Sequence, residues 1–348
     1  MSDITPLRHR PRRRLDDARL AFKIAKSAIV DPFRPLVANL IVTRRCNLAC
    51  GYCHEYDKIS APVPLDVLET RIDHLARLRA VFVTLTGGES LLVPHLAEVV
   101  AHVRARGMVP FVNTNGYLLT RDWIEKLDAA GLYGLQISID NVTPNEVTKK
   151  SLKVLEPKLR LLARHARFRV RINTVLGSAP PEEAVQVAKT AMALGLDAST
   201  SLLRHGSGVT AELDDATRAA YAEIRSLGRR AHPLLDDDFQ IALANGDEAN
   251  WKCRAGARTF HVCEDGLVHL CAPKTGSPGT PLAEYTVEDI KRAFYMPKPC
   301  AKACPVAYAH HVSRLDQWRS QGGLPLALPP PPTAIAPDGK RHLPVLAA

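Results

Sequence analysis

The chain has 348 residues, of which 46% are hydrophobic and 24% charged, with 46 Lys and Arg against 36 Asp and Glu. That length and balance suit one large soluble domain with a smaller one attached, and no apolar run approaches the ~18 residues of a membrane span. The first residues carry charge without the apolar stretch of a signal peptide, so the eight cysteines are expected to ligate metal in a reducing cytoplasm rather than form disulfides.

The charge is uneven. Residues 1–37 hold nine Lys and Arg against four Asp. Residues 1–14 read as a disordered basic arm and 15–30 as an amphipathic helix, with Leu20, Ile24 and Ala28 on one side. Such a helix suits two places: packed across the end of a barrel, or lying on a membrane through residues 8–30. No specific nucleic-acid partner is expected. Pro32 and Pro35 end the helix.

From residue 36 the chain alternates. Strands are expected at 36–43, 80–86, 109–114, 133–139, 168–175 and 197–203. Helices are expected at 65–79, 93–106, 120–130, 147–165, 181–194 and 213–229. Strand–helix units of this kind predict a parallel sheet covered by helices. Six units, over residues 36–230, are two short of a closed eight-fold barrel. Residues 231–252, in which Asp236, Asp237 and Asp238 open a short helix, connect to a cysteine-rich unit at 253–320. Residues 321–348 read as a proline-rich disordered tail around Pro329 to Pro332.

The chemistry-bearing residues gather at the ends of the expected strands. Cys46, Cys50 and Cys53 follow the first strand in one short loop. Three thiolates can hold three irons of a cubane cluster and leave the fourth open, or form part of a zinc site completed by His54. The second strand ends in Gly87-Gly88-Glu89-Ser90, where glycines let a backbone approach a ligand and Glu89 can accept from an ammonium group. Asn115, Ser138 and Asp140 end the third and fourth strands; each can bond a ligand or cap the next helix. Arg171 and Asn173 alternate with apolar neighbours on the fifth strand, where Arg171 faces either the interior or solvent. Cys253, Cys271, Cys300 and Cys304 come from an expected hairpin around Glu264-Asp265-Gly266 and a later loop. Zinc is the other reading of that set, with His261, His269, His310 and His311 nearby.

The spacing Cys-x3-Cys-x2-Cys, with Tyr52 before the last cysteine and Gly87-Gly88-Glu89 downstream, resembles the radical S-adenosylmethionine (SAM) superfamily. The resemblance covers residues about 36–305 and implies a partial (β/α)6 TIM-like barrel. It implies a [4Fe-4S] cluster on Cys46, Cys50 and Cys53 with SAM at the open iron. It places SAM contacts at Tyr52, Gly87, Gly88, Glu89, Asn115, Ser138 and Asp140, with Glu89 at the amino group; an inward Arg171 is the further candidate, for the SAM carboxylate. Ser90 departs mildly from the family, where proline is commonest. The implied chemistry is reductive cleavage of SAM to a 5′-deoxyadenosyl radical that abstracts a substrate hydrogen. A reductant such as flavodoxin or ferredoxin is the implied partner.

Cys253-x12-Gly266-x4-Cys271 resembles the shortened SPASM module called a twitch domain. It implies one auxiliary [4Fe-4S] cluster, in electron transfer or substrate positioning. Cys300 and Cys304 depart from the module, since two intervening residues are usual there rather than three. Cys263 is a substitute ligand, a cavity residue or a buried thiol. The substrate stays open between small molecule, lipid and peptide. The arm is expected to be too short for a folded leader-peptide-binding domain, which weighs against a self-sufficient maturase of ribosomal peptides. A non-catalytic iron–sulfur or zinc protein is the reading of another class.

Overall fold

The computed structural model describes residues 11–53, 56–203, 213–227, 239–245, 247, 250–275 and 278–322, with backbone alone at 11–16 and 244. The expectations for residues 1–10, His54, Asp236 to Asp238 and the prolines from Pro325 onward lie outside the described residues.

Helix α1 (Pro11–Ile29) opens the chain. It begins earlier than periodicity predicts, with a proline at its first position, where the missing N–H has no intrahelical partner to lose. Six strands then alternate with helices: β1 (Val37–Thr43), α2 (Leu65–Arg77), β2 (Phe82–Gly87), α3 (Leu96–Ala105), β3 (Val109–Thr114), α4 (Arg121–Ala129), β4 (Gly134–Ser138), α5 (Leu152–His165), β5 (Arg169–Leu176), α6 (Pro181–Ala193) and β6 (Asp197–Leu202). Helix α7 (Asp215–Leu227) follows. Each strand lies parallel to its predecessor, which only a crossover can achieve.

The helices bury one stripe each. Leu68, Ile72 and Leu75 in α2, and Leu155, Leu159 and Leu162 in α5, fall on one face at helical spacing. They meet Leu40, Val83, Leu85, Val112, Ile137 and Ile172 from the strands in one continuous core. Truncating any of these leucines or isoleucines to alanine costs about 2–5 kcal/mol. The alternate strand residues face the barrel interior and are largely polar. Asn113, Gln136 and Arg171 occupy one row across adjacent strands; Ser138 and Asn173 occupy the next.

The sheet continues past β1. Strand β7 (Thr259–Val262) pairs parallel with it, Val37 opposite Thr259 and Leu40 opposite Val262. Strands β8 (Leu267–His269) and β9 (Thr280–Pro281) follow antiparallel. The order is β6-β5-β4-β3-β2-β1-β7-β8-β9, so β6 and β9 are opposite edges of a partial barrel. The β7–β8 hairpin turns at Gly266, whose φ of +86° favours glycine, and Asp265 Oδ1 accepts from the Leu267 N–H at 2.9 Å. Helices α8 (Phe239–Ala244), α9 (Val287–Tyr295) and α10 (Ala307–Arg314) complete the described fold.

One local departure from the sequence pattern positions later residues. The helix expected over 147–165 starts only at Leu152. Asn145 Oδ1 accepts from the N–H groups of Val147 and Thr148 at 2.9 and 2.7 Å, and Leu152 N–H donates to Asn141 O at 2.8 Å. Residues 147–151 therefore form a loop pinned to the end of β4. At the opposite end, α1 lies across the N-terminal ends of the strands. Its Leu20 and Ile24 pack with Leu36, Val81, Val109 and Phe111. Asp17 pairs with Arg169 at 2.6 Å. No helix among the described residues is long and apolar enough to cross a membrane.

Candidate active site

Beyond β1 the chain enters the loop that carries Cys46, Cys50 and Cys53. The loop is tied down by main-chain bonds: Cys46 N–H to Asp57 O at 3.0 Å, Asp57 N–H to Arg44 O at 2.8 Å, and Gly51 N–H to Val147 O at 2.9 Å. Lys58 Nζ donates to the carbonyls of Cys46 and Leu48 at 2.9 and 2.6 Å.

The end of β2 props the root of this loop. Gly88 N–H donates to Thr43 O at 2.8 Å and Glu89 N–H to Arg45 O at 2.9 Å. A Cβ on Gly87 would stand 2.1 Å from Thr43 O, and one on Gly88 would stand 2.3 Å from the carbonyl oxygens of both Arg44 and Arg45. The glycines are required by the approach of one backbone to another. Glu89 is wholly buried. Its carboxylate accepts from Leu91 N–H at 2.9 Å, Asn115 N–H at 2.7 Å and the Thr114 hydroxyl. Burial raises its pKa, and these donors pull the other way. In this structure Glu89 is enclosed and ties the end of β3 to the loop.

Asn115 in turn donates from Nδ2 to Asn47 Oδ1 at 2.7 Å and to Cys46 Sγ at 3.7 Å. Leu48 N–H points at Cys46 Sγ from 3.4 Å, and Lys149 N–H at Cys50 Sγ from 3.5 Å. Donors gathered about sulfur suit thiolates, and such hydrogen bonds tune a bound cluster. Burial pushes the Cys46 thiol up in pKa, and the Leu48 N–H opposes it.

Tyr52 reaches across to β4. Its hydroxyl donates to Asp140 Oδ2 at 2.6 Å and accepts from Lys150 Nζ at 2.7 Å. Asp140, fully buried, also accepts from Thr148 Oγ1 at 2.8 Å and Val175 N–H at 3.2 Å, and lies 3.9 Å from Lys150 Nζ. Burial raises the Tyr52 pKa, so the phenol stays a donor. Burial works against the Lys150 ammonium, but Asp140 and Tyr52 outweigh it and hold its pKa up. Lys150 is the residue that sequence reasoning missed, because the pattern put it on a helix.

Ser138 and Asn173 face each other on the inner row at the barrel mouth, and Asn173 Nδ2 donates to Ser201 Oγ at 3.3 Å. Arg171 does not join them. It sits two residues further back along β5, about 7 Å deeper. Its side chain is open to solvent yet crowded enough that burial lowers its pKa, with Asp197 opposing, which fits a concavity.

The second cysteine group comes together at the other end of the sheet. Burial pushes Cys253 up to about 11, where Lys298 opposes it and Cys304 and Cys300 add to it. Burial pushes Cys271 up to about 12, reinforced by Cys304, Cys253 and Cys300. Cys253, Cys271 and Cys304 pack in one cluster with Trp251 and Ala301, and Cys300 precedes Ala301 in the chain. Cys263 lies apart, its carbonyl accepting from Arg71 Nη1 at 3.3 Å. Among the described residues no three His, Cys, Asp or Glu side chains converge on a point that a single metal ion could occupy.

A profile of the radical SAM superfamily matches residues 40–217, half of the chain, and the chain belongs to that superfamily. Its members work with a [4Fe-4S] cluster and SAM. Among curated proteins the chain is similar to an AdoMet-dependent heme synthase of Methanosarcina barkeri (strain Fusaro / DSM 804), 31% identical over 192 residues, 53% of this chain and 54% of that protein. It is similar to a PqqA peptide cyclase of Xanthomonas campestris pv. campestris (strain B100), 34% identical over 119 residues, 32% of this chain and 30% of the cyclase. Such relatives are enzymes; the chain spans about half the length of the first and under a third of the second. The fold is that of Streptococcus suis SuiB bound to S-adenosylmethionine, with a TM-score of 0.57 and 14% identity over 85% of this chain and 77% of SuiB. It is also that of anSMEcpe with bound AdoMet and Cp18Cys peptide, with a TM-score of 0.53 and 14% identity over 82% of this chain and 97% of the other.

Proposed function

We propose that the chain is a radical SAM enzyme in which Cys46, Cys50 and Cys53 hold an open [4Fe-4S] cluster, with SAM bound beside it at the barrel mouth. The observation that carries this reading is the pinned cysteine loop with N–H groups aimed at Cys46 and Cys50 Sγ. Cluster and SAM, when bound, supply reductive cleavage to a 5′-deoxyadenosyl radical that abstracts hydrogen from the substrate. The chain's own residues hold the loop through Gly88, Glu89 and Asn115 and fix Tyr52 through Asp140 and Lys150. Ser138 and Asn173, paired on the inner row at the barrel mouth, are polar groups placed to meet SAM.

Cys253, Cys271, Cys300 and Cys304 are proposed to hold an auxiliary [4Fe-4S] cluster in a SPASM or twitch-like unit, with Cys263 outside it. The likeness to a peptide cyclase favours a peptide over a lipid as substrate. The placement of α1 agrees, because that helix lies at the end of the barrel away from the cysteine loop. A reductant such as flavodoxin or ferredoxin completes the proposal.

The test is anaerobic iron and sulfide content of the reconstituted chain, with 5′-deoxyadenosine measured after dithionite and SAM. About eight irons and SAM cleavage are expected for two cubanes. About four irons without cleavage or SAM binding would sink the enzyme reading and leave an iron–sulfur binding protein.

A further inference from the structure

Helix α1 uses only one side to close the barrel. Leu20 and Ser27 are buried, whereas Arg19, Phe22, Lys26, Ile29 and Val30 face solvent. Phe22 and Ile29 are seven residues apart, as are Arg19 and Lys26, so an apolar stripe runs beside a basic one. Phe22, Ile29 and Val30 are 69%, 73% and 65% exposed. Trp318, 71% exposed, joins the end of this stripe. Its neighbour Arg319 donates to Ile29 O at 3.1 Å and stacks on the Trp318 ring at 4.1 Å. Among the described large apolar side chains, only Ile59 is otherwise more than 60% exposed. Four such residues at one end of the molecule make a patch rather than scatter.

The patch is held firmly. Arg258 and Asp316, both with fully buried side chains, pair at 2.6 Å, and Arg258 donates to the carbonyls of Ser27 and Asp31 at 3.0 and 3.1 Å. The segment bearing Trp318 is thereby fastened to the end of α1; the indole N–H donates to Leu315 O at 3.1 Å, and the ring stays largely exposed. The described carboxylates nearby are taken: Asp17 by Arg169 and Asp31 by Arg79.

A second copy of the chain is a poor occupant, because a two-fold contact would set Arg19 and Lys26 against the same residues of its mate. Anionic headgroups satisfy the basic stripe, the acyl boundary accepts the apolar one without demanding a matching shape, and tryptophan favours that interface. We propose that this face docks on an anionic phospholipid surface, with Phe22, Ile29, Val30 and Trp318 inserted and Arg19 and Lys26 at the phosphates. Because α1 closes the N-terminal ends of the strands, docking turns the cysteine loop away from the bilayer. The membrane then fixes where the enzyme works and does not supply its substrate.

The experiment is co-sedimentation of the full chain with vesicles of phosphatidylcholine alone or mixed with phosphatidylglycerol, at low and physiological salt. Binding is expected only with phosphatidylglycerol and is expected to weaken with salt. R19E/K26E is expected to weaken it at least about 25-fold, near fivefold for each charge removed. F22S/I29S is expected to abolish it with an unchanged melting temperature. No binding to the mixed vesicles overturns the proposal, as does binding that both double variants retain. A dimer in light scattering that F22S/I29S dissolves also overturns it, by assigning the face to a second copy.

Discussion

The two cysteine groups are held by opposite means. Around Cys46, Cys50 and Cys53 the supports are polar and charged: Lys58 on the loop backbone, Glu89 and Asn115 from the ends of β2 and β3, and Asp140 with Lys150 behind Tyr52. Around Cys253, Cys271 and Cys304 they are apolar: Trp251, Ala255, Ala301, Val306 and Ala309. Lys298 is the cation beside them, its own pKa brought down to about 8, chiefly by burial. Hydrogen bonds fix direction without sealing space, which suits the proposed open cluster. Apolar packing excludes water from Cys253, while Cys300 stays exposed at the rim of its group.

The sharpest way to break this comparison is to empty one group at a time. Replacing Cys46, Cys50 and Cys53 with serine is expected to halve the iron content and abolish 5′-deoxyadenosine formation; replacing Cys271 and Cys304 is expected to halve the iron while leaving SAM binding by equilibrium dialysis intact. Loss of all iron in either variant would show the groups to be interdependent. Gly88→Ala comes next, because its Cβ would press on two carbonyl oxygens at 2.3 Å. A loss of about 3 kcal/mol is expected in denaturant melts, together with a failure to load the first group only.

Lys150→Met leaves Asp140 buried without its cation, and about 3 kcal/mol of stability should go with it. Lys150→Met combined with Asp140→Leu should recover part of that loss, and an additive double variant would show the pair to be uncoupled. Glu89→Gln sets an amide N–H or a carbonyl against donors that now meet a carboxylate, at a cost of about 1–3 kcal/mol. The smallest effect is expected for Cys263→Ser, which should leave iron content unchanged; a drop there would move Cys263 into the ligand set.

Much of the barrel is legible in the sequence because short apolar strands and amphipathic helices differ in period, as Val37–Thr43 and α2 do. The cysteine loop is legible because spacing along the chain fixes it. The supports are not, because they depend on what lies opposite in space. Gly87 and Gly88 read as a ligand cradle; that a Cβ on either would also meet backbone oxygens of Thr43, Arg44 or Arg45 depends on a strand pairing the sequence does not mark. Asp140 reads as a ligand contact; its bonds from Tyr52, Thr148 and Val175 come from segments far apart in the sequence or outside the expected strand pattern. Lys150 is hidden by a helix pattern that Asn145 interrupts with its side chain. The attachment of β7 to β1 is hidden too, since Thr259–Val262 has only four residues and carries no mark of its partner.

That last pairing has a consequence for biosynthesis. Strand β1 leaves the ribosome long before β7, the strand that claims its second edge. Until then the nascent barrel presents Val37 to Leu40 as an open, apolar edge, the kind of surface on which unfinished chains stick to one another. A chain cut before Thr259 keeps that edge permanently open. The C-terminal unit is therefore a closing piece that the barrel waits for, and separating the two by truncation is expected to yield aggregates rather than two working halves.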